Sequence, residues 1–411
     1  MALNGTPSGE RKHIVLIGMR NAGKSSLMNS IIGQELAVVS PVKGTTTDPV
    51  RKAMELLPAG PVLFIDTPGI DDEGDLGRKR SEKAQLALER ADGVLIAVDG
   101  TEPFPAILDE SLKKIRERSV PVIAAITKSD VAGNAEKIEN ELIKRGFDSS
   151  SILSVSSVTG AGIEALKSML GKVLSESNVE RTILGDLLSP GDIVILVIPI
   201  DKAAPKGRLI LPQQQTIRSI LDSSAVAVAV KESELEMTLE NLKGRVRMVV
   251  TDSQIFGKVS EIVPDEIPLT SFSILMARYK GNLDSAVKGA AALSSLRGGE
   301  RILISEGCTH HRQCGDIGTE KLPMWIRRYT GKDFMFEHTM GTGFPEDLSP
   351  YSLVIHCGGC MLTEREMEVR YGKAEEAEIP ITNYGTIIAY MNGILERSLS
   401  LFPSVLSYLQ R

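Results

Sequence analysis

A chain of 411 residues is too long for one hydrophobic core and implies two or three. Hydrophobic residues make up 42% of it, which excludes a largely disordered protein. A net charge of −6 gives no electrostatic reason to expect nucleic acid or anionic lipid as the main partner.

The first residues, MALNGTPSGERKH, are polar and lack the apolar stretch of a signal peptide; residues 1–11 read as a flexible tail. No apolar run approaches the roughly 18 residues that span a bilayer, the longest being IVILVIPI. The expectation is a cytoplasmic protein with no membrane partner. From about residue 12 to 172, short apolar runs alternate with helical stretches: HIVLIG, VLFIDTPG, VLIAVDG, VIAAITKSD and ILSVSS. Strands this uniformly apolar predict a mostly parallel sheet covered by helices on both faces, an α/β domain. After Gly171 the pattern lapses into KVLSESNVER, which reads as a helix end and a linker. A second region, 182–267, carries IVILVIPI, SAVAVAVK and RVRMVV and reads as a small α/β module for structure or oligomerisation. Its ESELEMTLE stretch reads as an exposed helix. The third region, 269–411, is again α/β, and RILISEG, SLVIHCGG and EIPITNYG each end in a glycine-containing loop. Within it, Trp325 with Arg327 and Arg328 reads as a solvated helix face rather than an anion site.

The first region holds a nucleotide site. GMRNAGKS, Gly18 to Ser25, fits G-x-x-x-x-G-K-S/T between a strand and a helix. Backbone N–H groups of Asn21, Ala22, Gly23, Lys24, Ser25 and Ser26 would wrap the phosphates, at a helix N-terminus that favours negative charge. Lys24 would reach the β- and γ-phosphates and the Ser25 hydroxyl would ligate Mg2+. GTTTD supplies Thr46 as the switch threonine on Mg2+, with Thr45 and Thr47 as neighbours. DTPG adds the Asp66 carboxylate for the metal shell and the Gly69 amide for the γ-phosphate. Lys24, Thr46, Asp66 and Gly69 form the candidate catalytic set. TKSD places Thr127, Lys128 and Asp130 at a strand end; Lys128 would pack on the base and Asp130 would accept from guanine N1–H and N2–H2. Adenine offers no such donor pair, so the aspartate selects GTP. SSVTG puts Ser156, Ser157 and Val158 where a loop meets the guanine carbonyl.

These five elements, in this order, resemble the TRAFAC GTPases of the tRNA-modification and ribosome-assembly type over residues 12–172. The resemblance implies slow GTP hydrolysis. It also implies a K+ ion near the phosphates held by Asn21, whose match in potassium-activated members does this. Ile70 follows DTPG where Ras-like enzymes carry a glutamine that orients the attacking water, and Thr127 stands where the motif has asparagine.

All four cysteines, Cys308, Cys314, Cys357 and Cys360, lie late in the chain. In a reducing compartment, Cys308-Thr309-His310 and His356-Cys357-Gly358-Gly359-Cys360 at strand ends read as a metal site before they read as disulfides. Four cysteines would suit a closed zinc site, while an iron–sulfur cluster tolerates three and an open fourth position. His310 can share a face with Cys308, with His311 turned away; His356 and Cys357 point to opposite faces of an extended strand. Residue types alone leave zinc and iron open.

A GTPase of this type followed by C-x-H and then H-C-x-x-C resembles the HydF family, the FeFe-hydrogenase maturation GTPases, over essentially the whole chain. That resemblance implies a 4Fe-4S cluster on Cys308, Cys357 and Cys360, with His310 or His356 as candidate fourth ligand and Cys314 outside the pattern. It further implies a homodimer through the middle domain. The implied role is a scaffold that takes a diiron subcluster precursor from two radical-SAM maturases and delivers it to apo FeFe-hydrogenase. A tRNA-modification or ribosome-assembly GTPase with a structural zinc is the alternative; against it stand the acidic balance and the lack of an RNA-binding signature.

Overall fold

The structure, a computed structural model, describes residues 8–33, 50–69, 84–116, 120–131, 133–176, 181–200, 209–307, 316–341 and 343–409. It divides into two compact units, Met1–Val179 and Glu180–Arg411.

The first unit is a six-stranded sheet among the described residues: β1 (Lys12–Ile17), β2 (Val50–Leu56), β3 (Gly60–Asp66), β4 (Gly93–Asp99), β5 (Val122–Thr127) and β6 (Ile152–Ser154). The order is β2-β3-β1-β4-β5-β6, with β2 antiparallel to β3 and every other pairing parallel. The apolar runs are continuous because both faces are covered. Ile14, Leu16, Phe64, Leu95 and Ala97 pack one face against the helices Lys24–Ile32 and Ile163–Glu176. Val15, Ile17, Ile65, Ile96 and Val98 pack the other against Leu108–Arg116 and Ala135–Lys144. The chain winds outward in both directions from β1, so the crevice at the carboxyl ends of β1 and β4 is the switch point where α/β sheets bind ligands.

The helix Ile163–Glu176 ends within KVLSESNVER, where the sequence places a helix end. Inside it, a Cβ on Gly171 would come within 2.3 Å of the Leu57 carbonyl oxygen, so this glycine is a close-approach point.

Among the described residues the second unit holds two four-stranded sheets, all pairings parallel. The first orders β7 (Ile193–Val197), β8 (Val226–Val230), β9 (Val246–Thr251) and β10 (Leu269–Ser271) as β10-β9-β7-β8. The second orders β11 (Arg301–Glu306), β12 (Met335–Met340), β13 (Leu353–His356) and β14 (Ile381–Asn383) as β12-β11-β13-β14. The helices Phe272–Tyr279 and Leu283–Ala292 share one core with Val194, Leu196, Met248 and Val250 of the first sheet and with the segment around Leu395 and Leu399. The ESELEMTLE stretch forms a short 3-10 turn and the helix Leu235–Asn241, anchored by fully buried Leu235. The helix Leu322–Thr330 sets Arg327 over the Phe336 ring and against Asp333. No helix among the described residues is long and apolar enough to cross a membrane.

Candidate functional site

The phosphate loop leaves β1 at Gly18, whose φ of +152° and close Ala97 carbonyl (2.4 Å from any added Cβ) admit only glycine. Asn21 and Gly23 also have positive φ, 63° and 81°. Gly23 then starts the helix Lys24–Ile32, which aims its first N–H groups into the loop. Lys24 folds back into the loop it serves: its ammonium donates to the carbonyls of Gly18 (3.0 Å) and Met19 (2.8 Å). Beside it, the Ser25 hydroxyl donates to Asp66 Oδ2 at 2.5 Å. The other oxygen, Oδ1, is buried with no hydrogen-bond partner. Burial pushes the Asp66 carboxyl above its ordinary pKa, and the Ser25 hydrogen bond and the nearby Lys24 charge oppose the rise. An orphaned carboxylate oxygen next to a serine hydroxyl at a phosphate loop fits a hard divalent cation, so Ser25 and Asp66 fit Mg2+. Thr67 closes this side by donating to the Leu16 carbonyl, and Gly69 follows at the same edge. Thr45, Thr46, Thr47 and Ile70 lie outside the described residues.

The base side is assembled from β4, β5 and β6. The Thr127 hydroxyl, buried, lies 2.8 Å from the Ala22 carbonyl and 3.1 Å from that of Val98. It ties the phosphate loop to β4 and β5, so the threonine does hydrogen-bonding work in the loop's support. Lys128, at a φ of 58°, sends its ammonium to Asp99 Oδ2 at 2.5 Å. Burial works against the Asp99 charge, but hydrogen bonds from Lys128 and Thr101 outweigh it and hold the carboxyl below its ordinary pKa. Asp99 was not singled out from sequence; its signal is the D-G pair that ends β4. Asp130 is exposed on the next turn. Ser156 is fully buried and its hydroxyl accepts from the N–H groups of Val158 (3.2 Å) and Thr159 (3.1 Å), shaping the loop on which Val158 stands exposed. Ser30 of the phosphate-loop helix donates to the Ser157 carbonyl at 3.3 Å. Gly18 to Ser26, Asp66, Gly69, Thr127, Lys128, Asp130 and Ser156 to Val158 thus share the carboxyl edge of one sheet. Asp130→Asn is expected to weaken GTP binding and strengthen xanthosine triphosphate binding, each mispaired group costing about 1–3 kcal/mol. Competition binding with both nucleotides checks it, and unchanged affinities would remove Asp130 from the base site.

The second site lies on the carboxyl edge of the β11–β14 sheet. β11 and β13 are neighbours, with Ser305 opposite His356, so Gly307 and Cys357 emerge side by side. Cys357 Sγ accepts from the N–H groups of Gly307 (3.0 Å) and Gly359 (3.4 Å). Burial pushes its thiol up and the two N–H groups pull against that. Cys357 and Cys360 are both free thiols. A sulfur that collects backbone donors is suited to a charged thiolate, which is what zinc or an iron–sulfur cluster requires. Cys308 would follow Gly307 directly; Cys308, His310, His311 and Cys314 lie outside the described residues, and among those described no metal-binding cluster is complete.

His356 is fully buried on the opposite face, as its place before Cys357 requires. Nε2 accepts from Arg370 (2.9 Å) and Nδ1 lies 2.6 Å from the Cys357 carbonyl, to which it donates. Burial and the Arg370 cation push its pKa down to about 3, so the ring is neutral. Both ring nitrogens are engaged in this arrangement, Nε2 by Arg370 and Nδ1 by the Cys357 carbonyl. Arg370 is itself locked by Glu366 (2.8 Å) and the Gly341 carbonyl (2.6 Å). Sequence reading missed this network, and it missed Glu306 at the end of β11, which accepts from Tyr384 at 3.1 Å. The Tyr384 phenol is pushed up, first by burial and then by the Glu306 charge. An acidic residue beside a strand-end glycine was the one available signal.

Comparison with known proteins fits this layout. Residues 13–128 match the 50S ribosome-binding GTPase family, 183–281 the hydrogen maturase F dimerization domain, and 284–401 the hydrogen maturase F tetramerization domain. The tRNA modification GTPase MnmE of Laribacter hongkongensis is 36% identical over 162 residues, 39% of this chain and 34% of that protein. The chain therefore spans about a third of that relative's length. GTPase Era of Aquifex aeolicus is 28% identical over 231 residues, 54% of this chain and 72% of that protein. A crystal structure of Aquifex aeolicus Era bound to GDP.AlF4- aligns over 57% of this chain and 98% of that one, with 22% identity and a TM-score of 0.36. The two hydrogen maturase F domains together cover more than half of the chain. With its GTPase domain followed by both of those domains, the chain belongs to the HydF family, the hydrogen maturase F proteins.

Proposed function

We propose that the chain is a GTP-hydrolysing scaffold for FeFe-hydrogenase maturation: it holds a 4Fe-4S cluster, carries the diiron subcluster precursor and delivers it to apo-hydrogenase. The observation that carries this reading is Cys357, half-buried just past the end of β13 with two backbone N–H groups on its sulfur, one of them from the residue that precedes Cys308. Cys308, Cys357 and Cys360 would hold the cluster, with His310 or His356 as the candidate for its fourth position. The cluster supplies soft iron with an exchangeable site at which cargo can attach.

Hydrolysis falls to the first unit. Lys24 would exchange its two carbonyl partners for the phosphates of GTP, and Ser25 and Asp66 would hold Mg2+, with Thr46 as the switch ligand. Mg2+ neutralises charge that develops on the transferred phosphoryl group. Thr127 keeps the phosphate loop in register with β5, and Asp130 selects guanine. Loops held by the γ-phosphate and released on hydrolysis then bias cargo transfer or partner binding. Asn21, exposed at positive φ in the loop, is the residue we assign to K+. Hydrolysis should run faster in K+ than in Na+ at matched ionic strength, and Asn21→Ala should flatten the difference; equal rates for the intact chain would dismiss the ion.

The partners are two radical-SAM maturases and apo FeFe-hydrogenase, in the cytoplasm, with a second copy of this chain. The dimerization and tetramerization names of the matched domains support self-association, and β8, an apolar strand with Val226 exposed, is an edge strand among the described residues. The test is activation of apo-hydrogenase by the chain after incubation with the maturases. Activation is expected from the intact chain and not from Cys357→Ser; equal activation by both would refute the carrier role.

A further inference from the structure

The group that holds the cysteine loop comes from outside it in sequence. Lys280 follows the helix Phe272–Tyr279 and is 9% exposed. Its ammonium donates to the carbonyl of Gly359 at close range and to that of Leu362 at 3.3 Å. These two carbonyls flank Cys360. The lysine backbone is fixed in turn, its N–H donating to Met276 at 2.9 Å. Ile274, Leu275, Met276 and Ala277 of that helix are buried in the core that also contains Val194 and Val250 of β7 and β9. The clamp is therefore rooted in the layer of the first sheet while its ammonium holds a loop of the second.

Burying an ammonium is costly unless partners offset the loss of water. Burial does lower the proton affinity of Lys280; Cys360, Cys357, Glu364 and Glu366 are the groups that oppose this. A helix-capping role would not need a buried cation, because the carbonyls at this helix end already have backbone partners. What the ammonium adds is two hydrogen bonds to the turn bearing Cys360 and a positive charge beside two thiols.

We propose that Lys280 is a positioning residue for the cluster site: it clamps the Cys357–Leu362 turn through two carbonyls and places a fixed positive charge beside the thiolates. The clamp stands on geometry alone, and only the charge effect on a cluster rests on the carrier reading. No proton or electron transfer is assigned to the lysine.

Two full-length variants separate the two effects. Lys280→Met removes donors and charge; Lys280→Gln keeps an N–H donor without the charge. In metal-free protein, amide exchange across residues 357–362 should be about tenfold faster in Lys280→Met, with Lys280→Gln much nearer the intact chain. Exchange in β7 and β9 should be unchanged in both, which separates the clamp from general unfolding. In reconstituted protein titrated with dithionite, both variants should show a cluster midpoint potential more negative than the intact chain, and Lys280→Met should lose iron faster to a chelator. Equal exchange in all three proteins overturns the clamp; equal potentials overturn the charge effect. If Lys280→Met fails to fold, Lys280→Gln still decides: a local rise in exchange short of unfolding supports the clamp, and full protection with an unshifted potential overturns the assignment. If the intact chain takes up no iron, the carrier reading falls, and the exchange comparison still decides the clamp.

Discussion

Lys24→Ala is expected to abolish GTP turnover and leave the cysteine site intact. The ammonium is buried in the loop and fixed by two carbonyls 2.8–3.0 Å away, so its position is set before nucleotide arrives. A preorganised cation at a developing phosphoryl charge is worth roughly 10²–10³ in rate, and it adds ground-state affinity as well. Alanine puts no cation in its place, because among the loop's described residues the remaining basic group, Arg20, lies on the exposed turn. The fold should survive, since Ile14, Leu16, Leu27 and Ile31 form the core beneath the loop and Lys24 does not contribute to it. The cysteines belong to the other compact unit, so iron content should match that of the intact chain. GTP turnover and iron, measured on the same preparation, read both halves. Turnover close to the intact rate would remove Lys24 from the phosphate site.

Cys357→Ser and Cys360→Ser should do the reverse. A serine oxygen is a harder and poorer ligand for iron–sulfur iron than a thiolate. Losing one of three thiolates should exceed the roughly 10–100-fold penalty of losing a supporting group at a metal site. At Cys357 the two N–H donors from Gly307 and Gly359 would turn to the serine oxygen, so the loop keeps its shape while the metal is lost. Iron content should collapse and GTP turnover should persist. Cys314→Ser should be near neutral; if it loses metal as fully as Cys357→Ser, the three-cysteine assignment must be given up.

The nucleotide site was legible because its chemistry is local. Each motif is a strand end plus a few residues, and the sheet order brings those ends to one edge whatever lies between. Thr127 could be placed from sequence, but its two carbonyl contacts could not, because they come from residues 105 and 29 positions earlier. The close approach of Gly171 to the Leu57 backbone was not legible, because the two residues lie far apart in sequence. In the second unit the cysteine motifs and their strand ends were visible. Lys280 and Arg370 were not, since a lone lysine after a helix and an arginine amid the charges of Glu364–Glu376 look solvated. Their burial is a product of tertiary packing: Arg370 meets His356 and Gly341, and Lys280 meets a turn 79 residues later. The alternation of faces along β13 did separate His356 from Cys357 in advance, but not the arginine that occupies the ring.

The central claim is that one chain joins a GTPase to an iron–sulfur site, and metal analysis of anaerobically purified protein tests it most directly. The account predicts brown protein with about four irons per chain and no stoichiometric zinc, as a 4Fe-4S cluster requires. Colourless protein holding one zinc on the same cysteines would contradict it.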